Sequence, residues 1–380
     1  MSTPTILLSA GEPSGDLHGA AVARAIRDRW PGARLYGLGG PRMEEAGVEL
    51  LADFRRLAVM GFAEVATQVP FFLRLLRRLR EEMAARQTDL VLPIDYPGFN
   101  LRLSRAARET GRPVLYYIAP QVWAWHRSRI RHLVEETDRL AVVLPFEEPL
   151  FREAGAAATF VGHPLLDAAP AVPARESFCA ELGIDPDRPL LAVFPGSRAQ
   201  EVSRHLEAFH AAAEAVVRAR PEVQPVLAVS NAVDDDAYAG ATYPRTKQSR
   251  ALLTHARAAL VKSGTTTLEA ALARTPMVIA YRTSGLTYWL ARRLVRVDHI
   301  GLVNLVVGER LAPEFVQHEA TPEALAEALL PLLDEGSADR RAALAGLDRV
   351  RAALSPTDGR PAGAAERVAD LAEELLGGSV

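Results

Sequence analysis

Four loops and one helix carry the residues whose types and spacing could do chemistry. The first loop is SAGEPSGDLHGA, residues 9–20, which follows the apolar run TILL. Gly11, Gly15 and Gly19 suggest a turn that cradles a phosphate, yet Glu12 and Asp16 would repel one. A dinucleotide site reads G-x-G-x-x-G and closes its second strand on an acid. Here the second strand candidate ends in Gly39-Gly40, so a dinucleotide is disfavoured. Acids at a helix start also serve as caps, which suits Asp16. Glu12 comes earlier and is freer to face a ligand.

The second loop lies in LPIDYPGFNLRL. Asp95 closes an apolar strand, and Pro97-Gly98 breaks the chain before a helix. A carboxylate among apolar residues at a strand end suits a general base, because partial desolvation lifts its pKa toward working pH. A turn aspartate gives the same pattern. The third loop, VFPGSRAQE, turns sharply at Pro195-Gly196-Ser197 with Arg198 beside it, a good anion site. The fourth, VKSGTTTLEAAL, is the most informative. Gly264 lets backbone approach a ligand, Ser263, Thr265, Thr266 and Thr267 supply hydroxyls and amides, and Glu269 follows within the first turns. Donors for a diphosphate with a carboxylate for ribose hydroxyls describe a nucleoside diphosphate site. The GK[ST] of a P-loop is missing, so ATP hydrolysis is not suggested. A Thr-rich cap with a capping-box Glu explains part of this stretch, but not two anion loops in one domain.

The helix is QVPFFLRLLRRLREE, residues 68–82. Val69, Phe72, Leu73, Leu76 and Leu79 share one face at the helical period, Phe71 and Leu75 widen it, and Arg74, Arg77 and Arg78 lie opposite. Such an arc suits a helix lying in a membrane interface, and equally a helix packed on a core. YYIAPQVWAWHRSRI sets Trp123 and Trp125 beside His126, Arg127, Arg129 and Arg131, which could hold a sugar and an acidic headgroup or cover a helix. His18, His126 and His163 have no metal-ligand spacing, and a structural role is expected for each.

Short apolar runs alternating with helical segments must position these loops. Strand candidates are 5–10, 33–40, 89–95, 113–120, 139–146 and 158–164, then 190–197, 225–230, 258–264 and 276–281. The Ala-, Pro- and Asp-rich stretch 167–189 reads as a linker. The expected fold is α/β: two Rossmann-like domains in tandem with a cleft between them, each with a parallel sheet. The N-terminal domain spans 1–168, completed by a C-terminal helix at about 355–380, and the C-terminal domain spans 169–354. A chain of 380 residues is long for one core. A net charge of −3 gives no argument for nucleic acid. One cysteine, Cys179, rules out an internal disulfide and suits a reducing compartment. No secretory signal or membrane-spanning run is visible, so a cytoplasmic protein is expected.

Taken in order, SAGEPSGDLHGA, GLGGPRMEEAG, DYPGFNLRL, YYIAPQVWAWHRSRI, LPFE, FVGHPL, FPGSRAQE, SGTTTLEA and GLVNLVVGERLAPEFVQ resemble the lipid-A-disaccharide synthase family from about residue 5 to residue 320. Single motifs are weak, but the collinear set is specific. The resemblance implies a glycosyltransferase-B fold with the donor nucleotide in the C-terminal domain and the acceptor toward the N-terminal one. It implies an inverting transfer that needs no metal or cofactor. The 6-hydroxyl of 2,3-diacylglucosamine 1-phosphate attacks C1 of UDP-2,3-diacylglucosamine, giving a β-1,6 disaccharide 1-phosphate and UDP. It also implies a peripheral protein on the cytoplasmic face of the inner membrane. Acylated substrates tip the amphipathic helix toward the interfacial reading, with Val69, Phe71, Phe72, Leu73, Leu75 and Leu76 expected to face the lipid. Asp95, Glu12, Arg198 and Asn304 match functional positions, and Arg198, Ser263, Gly264, Thr265, Thr266, Thr267 and Glu269 match the UDP side. Asp95 is the first choice of base and Glu12 the second. Where the family usually reads LPNL, this chain has Leu302-Val303-Asn304-Leu305, and loss of that proline is expected to loosen the loop presenting Asn304; residues 233–250 match poorly. A homo-oligomer is compatible with the sequence, which does not specify it. The rival readings are a UDP-sugar 2-epimerase on the same fold and a non-catalytic nucleotide-sugar or lipid-binding protein, which would lack the acid at position 12 or 95.

Overall fold

The computed structural model describes residues 3–54, 65–120, 128–167, 171–285, 288 and 298–377. The chain divides into two compact units, Met1–Ala168 with Leu354–Val380, and Ala169–Ala353.

The first unit is built on seven parallel strands: β1 (Thr5–Ala10), β2 (Arg34–Gly39), β3 (Glu49–Asp53), β4 (Leu90–Ile94), β5 (Leu115–Tyr117), β6 (Arg139–Val142) and β7 (Ala158–Phe160). Their order is β3-β2-β1-β4-β5-β6-β7. The central strands are buried end to end, as expected of parallel strands covered on both faces by helices. The order reverses between β1 and β4, whose register pairs Ala10 with Ile94. Chains leaving the carboxyl ends of these neighbours diverge there and open a crevice. Gly11-Glu12 and Asp95 are the next residues on each side.

The second unit repeats the plan with six parallel strands: β8 (Leu190–Phe194), β9 (Gln224–Ala228), β10 (Arg245–Thr246), β11 (Ala256–Lys262), β12 (Met277–Tyr281) and β13 (Glu314–Val316). Their order is β10-β9-β8-β11-β12-β13. The reversal lies between β8 and β11, where Phe194 pairs with Val261. The Pro195–Arg198 and Ser263–Thr267 loops therefore leave side by side. The two Rossmann-like units are those expected from the alternation of strands and helices. Strands β3, β10 and β13, at sheet edges, went unrecognised in the sequence.

The helix Ala364–Gly377 returns to the first unit and packs on the helix Pro13–Arg29. Arg29 pairs with Asp370 and, at 3.2 Å, with Glu373. Asp167 accepts from the Ala364 amide at 2.7 Å, which ties the incoming chain to the end of the N-terminal segment.

The helix Val65–Ala85 corrects the membrane-facing arc. Leu75, Leu79 and Met83 sit in the core with Phe99 and Leu103, and Phe72 and Leu76 pack against it. Leu75 is only 5% exposed, so it faces the sheet and not a lipid. Phe71 and Leu73 are 40% and 57% exposed. Positions 72, 75, 76, 79 and 83 follow the helical period of a core face, which leaves 71 and 73 outside it. The side chain of Val69 lies outside the described residues, as do Trp123, Trp125, His126 and Arg127. Among the described residues, no helix is long and apolar enough to cross a membrane.

Candidate active site

At the first crevice the glycines serve packing. A Cβ on Gly11 would lie 2.2 Å from the Tyr96 ring, and one on Gly19 would lie 2.6 Å from Met43 Sδ. They admit neighbouring side chains and do not wrap a phosphate. Asp16 does not cap its own helix. Its carboxylate is buried and accepts from the amides of Gly40, Arg42 and Met43 at 2.9, 3.1 and 3.0 Å. It anchors the start of the next helix, Pro41–Glu45, where a carboxylate meets free amides and a favourable dipole. Glu12 is left exposed at the N-cap of the helix Pro13–Arg29, and its side chain caps nothing.

Asp95 lies opposite, directly after β4. Asp95 and Tyr96 both adopt left-handed backbone, with φ of 47° and 50°. Such geometry in consecutive non-glycine residues is held only by surrounding structure. Asn100 supplies that hold. Its buried amide donates to the carbonyls of Ser9, Ile94 and Asp95 at 3.0, 3.2 and 2.8 Å and accepts from Ser9 Oγ at 2.6 Å. Tyr116 donates a further bond to the Asp95 carbonyl at 2.7 Å. One side chain thus clamps the ends of β1 and β4 together. Burial lifts the Asp95 pKa to about 6, with the Glu12 charge adding to the lift and a bond from the Tyr96 amide opposing it. The carboxylate is poised near neutral pH, as a general base requires. Directly after the adjacent strand β5, Ile118 also has positive φ, 60°, rare for a β-branched residue. Among the described residues, three of the six non-glycine residues with positive φ lie at the carboxyl ends of β4 and β5.

The second crevice has the opposite character. Arg198 is the N-cap of the helix Ala199–Ala219, and its side chain is 74% exposed. Glu201 joins the two loops: it accepts from Lys262 Nζ at 2.9 Å and from the Ser197 amide at 2.9 Å. Gly196, with φ of 142°, makes this possible, since a Cβ there would lie 2.4 Å from Glu201 Cβ. Lys262 also lies 5.6 Å from the centre of the Tyr281 ring. His205 fixes the helix to the end of β12. Its Nε2 accepts from the Arg282 amide at 2.8 Å, so Nδ1 carries the proton and donates to Glu201 O at 2.7 Å. Burial holds its pKa below the usual value, which keeps it neutral.

In the Ser263–Thr267 loop the hydroxyls are divided. Ser263 donates to Ile300 O at 2.7 Å and buried Thr267 donates to Gly264 O at 2.8 Å. Thr265 is exposed and Thr266 half-buried. The Thr267 amide makes the first turn bond, to Gly264 O, so the amides of residues 264–266 precede the turn. Glu269 is half-buried, and burial raises its pKa. Asn304, expected at the reacting centre, is redirected. It is 0% exposed, donates to Ala312 O at 2.8 Å and Glu314 Oε1 at 2.7 Å, and accepts from the Ala312 amide at 2.8 Å. Glu314 in turn accepts from the amides of Ile300 and Gly301 at 3.0 and 2.9 Å. Asn304 is thus linked through Glu314 and Ile300 to Ser263. Val303, in place of the proline, is fully buried and anchors the same short helix by packing.

Glu201, Lys262, Glu314, Asn100 and Tyr96 are the residues that sequence reasoning missed. All five lie within the stretches VFPGSRAQE, VKSGTTTLEAAL, DYPGFNLRL and GLVNLVVGERLAPEFVQ, but nothing in residue type or spacing assigns them a role there.

A family model described as lipid-A-disaccharide synthetase matches residues 6–364. A lipid-A-disaccharide synthase of Syntrophus aciditrophicus (strain SB) is 44% identical over 385 residues, covering 99% of each chain. One from Myxococcus xanthus (strain DK1622) is 40% identical over 381 residues, covering 98% of each. Among solved structures, the calicheamicin glycosyltransferase CalG4 is similar at a TM-score of 0.63 and 19% identity, covering 100% of both chains. A UDP-N-acetylglucosamine 2-epimerase structure from Listeria monocytogenes is similar at a TM-score of 0.67 and 11% identity, covering 98% of this chain and 96% of that one. These distant likenesses show the fold, which glycosyltransferases and epimerases share. The nearly full-length family match and the relatives at 40% identity and above decide between them: the chain belongs to the lipid-A-disaccharide synthase family of glycosyltransferases.

Proposed function

We propose that this chain transfers a 2,3-diacylglucosaminyl group from its UDP carrier to the 6-hydroxyl of 2,3-diacylglucosamine 1-phosphate, forming the β-1,6 disaccharide of lipid A and releasing UDP. The observation that carries the reading is the contrast between the two crevices. One holds two carboxylates, with Asp95 poised at a pKa of about 6. The other holds exposed Arg198 and half-buried Lys262, both beside the single carboxylate of Glu201, and the amides of residues 264–266. Asp95 takes the proton from the acceptor hydroxyl as that oxygen attacks C1. Glu12 orients the acceptor, and its charge keeps Asp95 basic. Attack by the acceptor oxygen on the face opposite UDP inverts the anomeric centre, with one base and no covalent intermediate. Negative charge grows on the leaving diphosphate, where Arg198 and the loop amides stabilise it, and no metal is required. Glu269 meets the ribose hydroxyls.

Both substrates carry acyl chains, so the enzyme works as a peripheral protein at the cytoplasmic face of the inner membrane. Exposed Phe71 and Leu73 support this reading. The test is incubation with the two acylated sugars, following UDP release and product mass. A disaccharide in step with UDP, undiminished by EDTA, is expected. An isomer of unchanged mass would establish an epimerase, and loss of activity in EDTA would overturn the metal-free mechanism.

A further inference from the structure

The helix Pro97–Glu109 leaves directly from the Asp95-Tyr96 turn, and its outer face borders an open groove of about 690 Å³. Gly98, Leu101, Arg102 and Arg105 line it from this helix, and Leu76 and Arg80 from the helix Val65–Ala85. Positions 98, 101, 102, 105 and 109 form one stripe, about 16 Å long at 1.5 Å per residue. The groove therefore starts three residues beyond the candidate base and runs away from it. Its lining is amphipathic, with Leu76 and Leu101 between arginines.

The charges are not balanced along the stripe. Arg80 pairs with Glu109 at 2.9 Å and Arg105 with Glu136 at 2.7 Å. Arg102 is exposed and donates to the Gly98 carbonyl, and among the described residues it pairs with no carboxylate. A guanidinium with donors left over, beside an apolar strip, matches a molecule that joins a hydrocarbon chain to an anion. We propose that this groove is the subsite for the acylated acceptor, with an acyl chain along Leu76 and Leu101 and the 1-phosphate on Arg102. The proposal rests on the acceptor assigned above. The continuity of the stripe with Asp95 favours this occupant over a bulk phospholipid.

The probe is dodecyl phosphate below its micelle concentration, which has the chain and the anion but no sugar. Calorimetry on the full chain should show it binding at least tenfold more tightly than dodecanol or inorganic phosphate, and kinetics should show it competing with acceptor and not with donor. Arg102→Glu should raise the acceptor KM about tenfold to a hundredfold, the range of a lost charge-assisted bond, with donor KM within twofold. Arg102→Lys keeps the charge but loses the planar fork, and should fall between. A Cβ on Gly98 meets nothing within 4 Å, so Gly98→Leu should fold, fill the groove mouth and weaken dodecyl phosphate binding likewise. Unchanged acceptor KM in both Arg102→Glu and Gly98→Leu would overturn the proposal, as would binding that does not compete with acceptor. Displacement of the probe by phosphatidylglycerol vesicles with no effect on acceptor KM would assign the groove to bulk lipid and also overturn it. Absence of disaccharide from the unaltered enzyme would instead sink the assigned reaction, which the calorimetric binding does not depend on.

Discussion

Replacing Asp95 with Asn separates what the residue does for the reaction from what it does to the fold. As a base it must be deprotonated, so kcat/KM should rise about tenfold per pH unit on the acid side and level off above about pH 6. Asp95→Asn should lose about 10²–10⁴ in turnover. Glu12→Gln removes a like charge, so the acid limb should move to lower pH while the acceptor KM rises. A pH profile of both variants checks the division of labour. If Glu12→Gln abolishes the limb and Asp95→Asn leaves it, the roles are exchanged. The stability effect has the opposite sign. The folded pKa of about 6 lies above the ordinary 3.8, so the protonated form is favoured in the fold. The stability this group lends is complete below pH 3.8 and lost as pH rises through about 6. At neutral pH the ionised group is a burden, and Asp95→Asn should raise the unfolding free energy by about 1–3 kcal/mol. A thermal melt at pH 7.5 against one at pH 4 reads this directly: a gain in stability only at the higher pH is expected.

At the scale of elements, the helix Val65–Ala85 shows how far periodicity reaches. The apolar residues announce an amphipathic helix, and the helix forms. Which of them meets the core depends on the sheet beneath, which no local pattern specifies. Leu75 belongs with Phe99 and Leu103, while Phe71 and Leu73 stand outside. Phe71→Ser with Leu73→Ser should release the enzyme from anionic vesicles in a flotation assay, with the melting temperature nearly unchanged. Leu75→Ala should instead cost about 2–5 kcal/mol of stability, by the cavity it leaves. Vesicle binding that survives the double change would remove the membrane role from this helix. The same limit explains the missed strands. Glu49–Asp53 is half-exposed at an edge, so it lacks the continuous apolar run that marks β1 and β4. It applies to the surroundings of Asn304 too, since its partners Ala312 and Glu314 come into reach only when β13 is in place. Glu201 carries the local mark of an acid in the first turn of its helix, but its bond to Lys262, 61 residues away, does not show locally. What was legible were the loops at strand ends, because turn chemistry and strand endings are both written locally.

The whole molecule uses one plan twice, a 3-2-1-4-5-6 strand order that a seventh strand extends in the first unit, with the loaded loops at the reversal, and then breaks the symmetry with charge. The chain does not simply pass from one unit to the next, because its last helix returns to the first. Val368, Ala369, Leu371 and Ala372 bury their side chains there, Arg139 pairs with Glu374 at 3.1 Å, and the His163 amide donates to Leu354 O at 3.0 Å. These contacts belong to the first unit alone, while the core around Leu191, Phe209, Leu260 and Leu325 belongs to the second. Two cores of this kind are expected to melt as two calorimetric transitions. Removal of residues 354–380 should then lower one transition and spare the other. The apolar face left open along the helix Pro13–Arg29 would weaken the support of the Glu12 turn, so acceptor binding should fail before donor binding does. UDP titration of the truncated chain against the full one gives the decisive comparison. Retained UDP affinity with lost disaccharide formation is the expected result, and equal loss of both would show that the last helix supports the second unit as well.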